Sequence, residues 1–210
     1  MSNDEWWLEP IHPALRDSAV RAAESGDVAG FLGGASNADG LMLAFRNLAP
    51  LRKRGMYEPA LIDALTSTST NNYSFGIASL RWMIQLADRK RLREAGDPLP
   101  SSGPFTVYRG VAGVGRARHV RGLSWTASLD IATWFAARFP HVPNPAVYRV
   151  TVDEHDILTY SDQQEQEFIV LLPKKKRPKR ILDGPALQEA ADELKAARVG
   201  KMLNASAVRT

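Results

Sequence analysis

Between positions 96 and 104 the chain reads GDPLPSSGP, and the hydrophobic pattern differs on its two sides. Proline fixes φ and removes a backbone donor, so a run this dense in proline and glycine supports neither a helix interior nor a central strand. Before it, apolar residues recur at the three-to-four spacing of helices. After it, they alternate as strands require. The expectation is a helical N-terminal region, 1–100, and an α+β core, 101–210, built from short, mostly antiparallel strands in two small packed sheets. With 210 residues, 44% of them hydrophobic, the chain has enough apolar surface for such a core.

Within the first region, helices are expected over 13–23, 41–51, 59–65 and 75–95. A loop or short turns are expected over the breaker-rich stretch 26–40, and polar residues fill 66–74. In the second region, FTVYRGV (105–111) and AVYRVTV (146–152) read as strands, and RGLSWTAS (121–128) as a strand entering a turn. LDIATWFAARF (129–139) reads as an amphipathic helix capped by Ser128 or Asp130, 140–145 as loop, and 185–202 as a final helix.

Several function classes are excluded early. The chain has no cysteine, so it has neither disulfides nor thiolate metal sites. His12, His119, His141 and His155 lack metal-ligand spacing, and no metal is assigned. No apolar run approaches a membrane span, and MSNDEWWLEP lacks the basic start and apolar stretch of a secretory signal, so a cytoplasmic protein is expected. GVAGVG (110–115) matches neither the dinucleotide fingerprint nor the P-loop. The formal charge of +4 favours an anionic partner, but much of the excess sits in KKKRPKR, from Lys174 to Arg180. That run reads first as solvated surface and, functionally, as a candidate nucleic-acid contact. Trp6 and Trp7 are candidates to dock on the core or on a partner.

The stretch TYSDQQEQEFIVLLP (159–173) poses a chemical question. If 165–172 is one strand, Glu165 and Glu167 share a face, and two adjacent carboxylates repel unless something positive lies in front of them. Two further polar punctuations precede them, Tyr108-Arg109-Gly110 and Ser124-Trp125-Thr126. The ordered arginine–serine–glutamate trio, with SWTASLDIATWF between, resembles the R-S-E clade of mono-ADP-ribosyltransferases, above all small phage-encoded arginine-type enzymes. The resemblance spans 105–173, about a third of the chain. It departs from the pattern at Trp125, where many relatives carry a small residue or Phe.

The resemblance implies a toxin or phage effector that cleaves NAD, its co-substrate, releases nicotinamide and transfers ADP-ribose to an arginine of a cytosolic protein. Glu167 would stabilise the oxocarbenium-like ribose, and Ser124 would tether Glu167. Arg109 would offer its fork to the phosphates. Gly110, Trp125, Thr126, Phe135 and Arg138 would complete the dinucleotide site, with Phe139 and His141 as further candidates. Glu165 would hold the acceptor guanidinium and help remove its proton, with Tyr160 stacking on that acceptor. Two alternatives stay open: a nucleic-acid acceptor, and a catalytically silent binding module. Residues 1–100 match nothing nameable and are expected to select the target. Oligomeric state is not legible.

Overall fold

The structure is a computed structural model and describes residues 5–67, 75–115, 118–162 and 165–207. The chain divides into two units, 1–96 and 97–210.

The first unit is helical: α1 (Arg16–Ser25), α2 (Val28–Leu32), α3 (Gly40–Arg46), α4 (Leu48–Lys53), α5 (Tyr57–Thr66), α6 (Ile77–Leu86) and α7 (Arg89–Glu94). The stretch 26–40, expected as loop or short turns, contains α2, which Asp27 caps by accepting from the Gly30 amide at 2.9 Å. The helix expected over 41–51 is broken at buried Asn47. Its Oδ1 accepts from the Trp7 amide, and its Nδ2 donates to the Trp7 and Leu43 carbonyls. The helix expected over 75–95 is likewise split, because Asp88 accepts from the Arg91 amide and starts a new helix. Trp6 is buried against Phe31 within this unit, with ring centroids 5.1 Å apart. Tyr57 donates to the Met83 carbonyl at 2.9 Å and so ties α5 to α6. The polar stretch 66–74 lies mostly outside the described residues.

The second unit contains β1 (Phe105–Val111), β2 (Ser124–Thr126), α8 (Leu129–Ala137), β3 (Ala146–Val152), β4 (Ile157–Ser161), β5 (Glu167–Val170), β6 (Lys179–Asp183) and α9 (Gly184–Ala207). Its strands form one six-stranded antiparallel sheet in the order β4-β5-β2-β1-β3-β6. One sheet therefore replaces the two that were expected, and the reason is β2. This three-residue strand pairs with β5 along its whole length, yet meets β1 in register only at Tyr108↔Thr126. β1 and β3, by contrast, pair over seven positions. The halves β4-β5-β2 and β1-β3-β6 are thus joined across a narrow seam.

Alternation along β1 divides the packing between the two sheet faces. Phe105 and Val107 join Trp125, Val150, Val152, Tyr160 and Phe168 in the main core. On the opposite face, Ala132 and Ala136 of α8 pack with Val147, Leu187 and Tyr108. Gly110 makes that second contact possible. A Cβ built there would lie 2.0 Å from the Ala132 carbonyl oxygen and 2.5 Å from the Ala136 nitrogen. Both are helix backbone atoms, which cannot swing aside.

No helix among the described residues is long and apolar enough to cross a membrane.

Gly110→Ala is expected to force α8 off the sheet and to cost about 3 kcal/mol, the upper end of overpacking penalties. Urea unfolding followed by circular dichroism measures it, and an unchanged midpoint would contradict the close approach.

Candidate functional site

The seam between β1 and β2 gathers the trio singled out in the sequence. Where the two strands part, a side chain supplies hydrogen bonds that the ladder does not. Arg109, one residue past the last paired position, donates from Nε to the His119 carbonyl at 3.1 Å and from one Nη to the Ser124 carbonyl. At least two of its five N–H donors are therefore spent inside the protein. These two bonds make Arg109 the brace of the seam, a role beyond the phosphate contact expected of its fork. His119, weighed in the sequence only as a metal ligand and set aside, enters through its backbone carbonyl, which no residue pattern announces. Burial, then the Arg109 charge, holds its imidazole below the ordinary range, so it stays neutral at pH 7.

Glu167 opens β5, pairing with Thr126 on one side and Ser161 on the other. It is half-buried, and its neighbours decide its charge state. Burial is the largest influence and disfavours the anion. The Ser124 hydroxyl donates to the carboxylate and opposes this, the Glu165 charge adds to it, and the Arg109 charge opposes it. The balance pushes the Glu167 carboxyl up to about 7. A carboxyl poised there can shuttle a proton or, once ionised, stabilise a cation close by.

Glu165 is exposed and lies before the strand, which corrects the picture of two glutamates on one strand face. Gln166 between them has φ 45°, a left-handed conformation that turns the backbone and ends the pairing. Thr126 fixes the Glu165 backbone: its Oγ1 donates to the Glu165 carbonyl at 2.6 Å and accepts from the Ser128 amide at 3.1 Å. Ser128 in turn caps α8, accepting from the Ile131 amide at 3.2 Å. A single hydroxyl therefore ties the glutamate turn to the start of α8.

The other expected site residues fall in three places. Trp125 is 1% exposed and donates from Nε1 to the Gly122 carbonyl, so it is core and presents nothing to a ligand. Gly110 is covered by α8. Tyr160, expected to stack on an acceptor, lies in β4 at 3% exposure, its ring 4.6 Å from Phe168. Its hydroxyl donates to Asp162, and burial with that acidic partner pushes its pKa up to about 12. Phe135 and Arg138 are partly exposed. The Arg138 guanidinium lies 4.8 Å from the Phe135 ring and 4.7 Å from that of Phe139, which in turn neighbours His141. Burial lowers the Arg138 pKa, while the Glu165 charge opposes that shift, which brings this aromatic-flanked cation into the field of the glutamate turn. Trp134, on the same helix, is 37% exposed.

The basic run is also rearranged. Lys176 donates to both Asp153 and Asp156 and lies in the position a cation would take among Asp153, His155 and Asp156. Burial raises the Asp156 pKa, but the Lys176 hydrogen bond and the Asp153 amide outweigh it and leave the carboxyl below its ordinary value. Arg180 pairs with Asp183 at 3.0 Å.

No family model matches this chain, and neither a curated protein nor a solved structure does.

Because the folded state holds the Glu167 proton more tightly than an unfolded carboxyl near 4.5, stability is lost as pH climbs from that value toward 7. Glu167→Gln is expected to stabilise the fold at pH 8, by on the order of 1–2 kcal/mol after allowance for solvent screening, and to lose that advantage by pH 5. Thermal melts at the two pH values provide the check.

Proposed function

We propose that this protein is an NAD-dependent mono-ADP-ribosyltransferase, acting on an arginine of a protein target. The observation that carries the reading is the convergence of Arg109, Ser124, Glu165 and Glu167 on one seam. The first braces the strands, the second holds a carboxyl, and the last two offer one poised and one exposed carboxylate. In the resembled family these residue types occur in this order, and the chemistry gives each a task.

When the bond between nicotinamide and ribose breaks, the pyridine leaves with the bonding pair and positive charge develops on the sugar carbon. Glu167 in its ionised form stabilises that charge. The Ser124 hydroxyl fixes its direction, and the Arg109 charge favours the anion that the reaction needs. Burial makes the carboxylate costly in the resting protein, which is the condition under which a developing cation is most strongly stabilised. Glu165, exposed at the turn, is placed to hold an incoming guanidinium and to accept the proton it sheds on forming the new C–N bond. Thr126 acts as a positioning residue for that turn. Phe135 and Arg138, both partly exposed, remain as dinucleotide contacts.

Purified protein incubated with NAD should release nicotinamide, and a small guanidinium compound should accelerate that release. Rates should rise with pH through about 7 and level off above it, as Glu167 ionises. Glu167→Gln should lower release by about 10²-fold or more, as loss of a transition-state partner does. Glu165→Gln should abolish the acceleration and the transfer while keeping hydrolysis. Nicotinamide release from Glu167→Gln at the unsubstituted rate would refute the reading.

A further inference from the structure

The run from Lys174 to Arg180 has six basic side chains, and the structure divides them into two groups. Lys176 and Arg180 are neutralised by Asp153, Asp156 and Asp183. Lys174, Lys175, Arg177 and Lys179 are exposed and make no ion pair among the described residues. The turn that carries them is well anchored. The Lys176 amide donates to the Pro173 carbonyl at 3.0 Å, which makes Lys174 and Lys175 the central residues of a β-turn. Arg121 donates to the carbonyls of Leu172, Pro173 and Lys176 at 3.0, 2.7 and 2.6 Å, and the buried end of Lys176 pins the turn from beneath. The cations are therefore held on a built surface.

A second, independent observation concerns the neighbouring strands. Lys179 of edge strand β6 is in register with Arg149 of β3, and both are exposed. Like charges directly opposite each other across a pair of strands destabilise the sheet. An edge strand needs only one lysine to deter unwanted pairing. A second cation facing it adds repulsion with no gain to the fold, unless an anion spans the two.

We infer that Lys174, Lys175, Arg177, Lys179 and Arg149 form a binding surface for the phosphodiester backbone of a nucleic acid. A line of cations from a turn onto a strand edge fits a chain of regularly repeated anions better than a single phosphate. Contacts to a charged backbone need only cations at suitable spacing, and the stripe supplies them. This surface is separate from the chemistry assigned to Glu167 and is tested without NAD.

The experiment is fluorescence anisotropy of the full chain with short labelled single-stranded RNA, single-stranded DNA and duplex DNA, titrated between about 50 and 200 mM salt. Binding of at least one probe, weakening steeply with salt, is expected. The combined Lys174→Gln, Lys175→Gln and Arg177→Gln variant should lower affinity at least tenfold at low salt, and should reduce the slope of log affinity against log salt by about 2–3. Arg149→Gln should weaken binding and, without nucleic acid at low salt, raise the melting temperature by relieving the facing charges. A control Lys53→Gln, Lys90→Gln variant in the other unit should bind normally. Absence of binding to all three probes at low salt overturns the inference, as does equal affinity of the triple variant. Capture by anionic-lipid vesicles in preference to every nucleic-acid probe also overturns it.

Discussion

One register contact, Tyr108 against Thr126, holds the two halves of the sheet together. Arg109, Ser124, Glu165 and Glu167 all lie within two residues of that pair or of the β5 residue that faces it. Arg109 follows Tyr108, Ser124 precedes Thr126 by two, and Glu167 sits opposite Thr126. Where the strands part beside so short a contact, the Arg109 guanidinium donates to the Ser124 carbonyl of β2 and to the His119 carbonyl of the loop before it. The same parting leaves the Glu167 carboxyl in a half-buried position where a continuous ladder would set another side chain beside it. Architecture and electrostatics are here one fact, because the cation that closes the seam also acts on the carboxylate beside it.

Two nearby carboxylates are tolerated through backbone geometry. The left-handed Gln166 turns Glu165 out to solvent, where water screens its charge, while Glu167 stays on the strand. The residual repulsion contributes to keeping Glu167 protonated in the resting state. Thr126 makes this arrangement repeatable, since its hydroxyl fixes the Glu165 carbonyl and is itself fixed by the helix that follows.

Much of the fold was legible where one local rule dominated. β1 and β3 match the alternating runs 105–111 and 146–152, and Ser128 caps α8 as its position before an apolar helical stretch suggests. Legibility failed where tertiary contacts overruled local pattern. Asn47 interrupts a helical run because it must serve the Trp7 backbone forty residues away, and nothing near it records that demand. β4 was missed because ILTYS, with Thr159 and Tyr160 buried as fully as its leucine, lacks the polar alternation of a half-exposed strand. β6 was hidden inside a charge run, since an edge strand can carry lysine and arginine and still pair on its inner side. In the site, the residue types were legible and their orientations were not. Arg109 faces carbonyls, Tyr160 faces the core, and the role of Gly110 is set by a helix that packs on it.

Gly110 also bears on how distant kin of this chain could be found. The closeness of α8 to β1 removes all side-chain volume at one site, whatever the surrounding surface becomes. A sequence that drifted beyond recognition while keeping this backbone would still carry glycine directly after its seam arginine, with a small residue on the helix turn above. That pairing of an absent side chain with a bracing cation is a geometric fingerprint, to be sought in coordinates when letters no longer align.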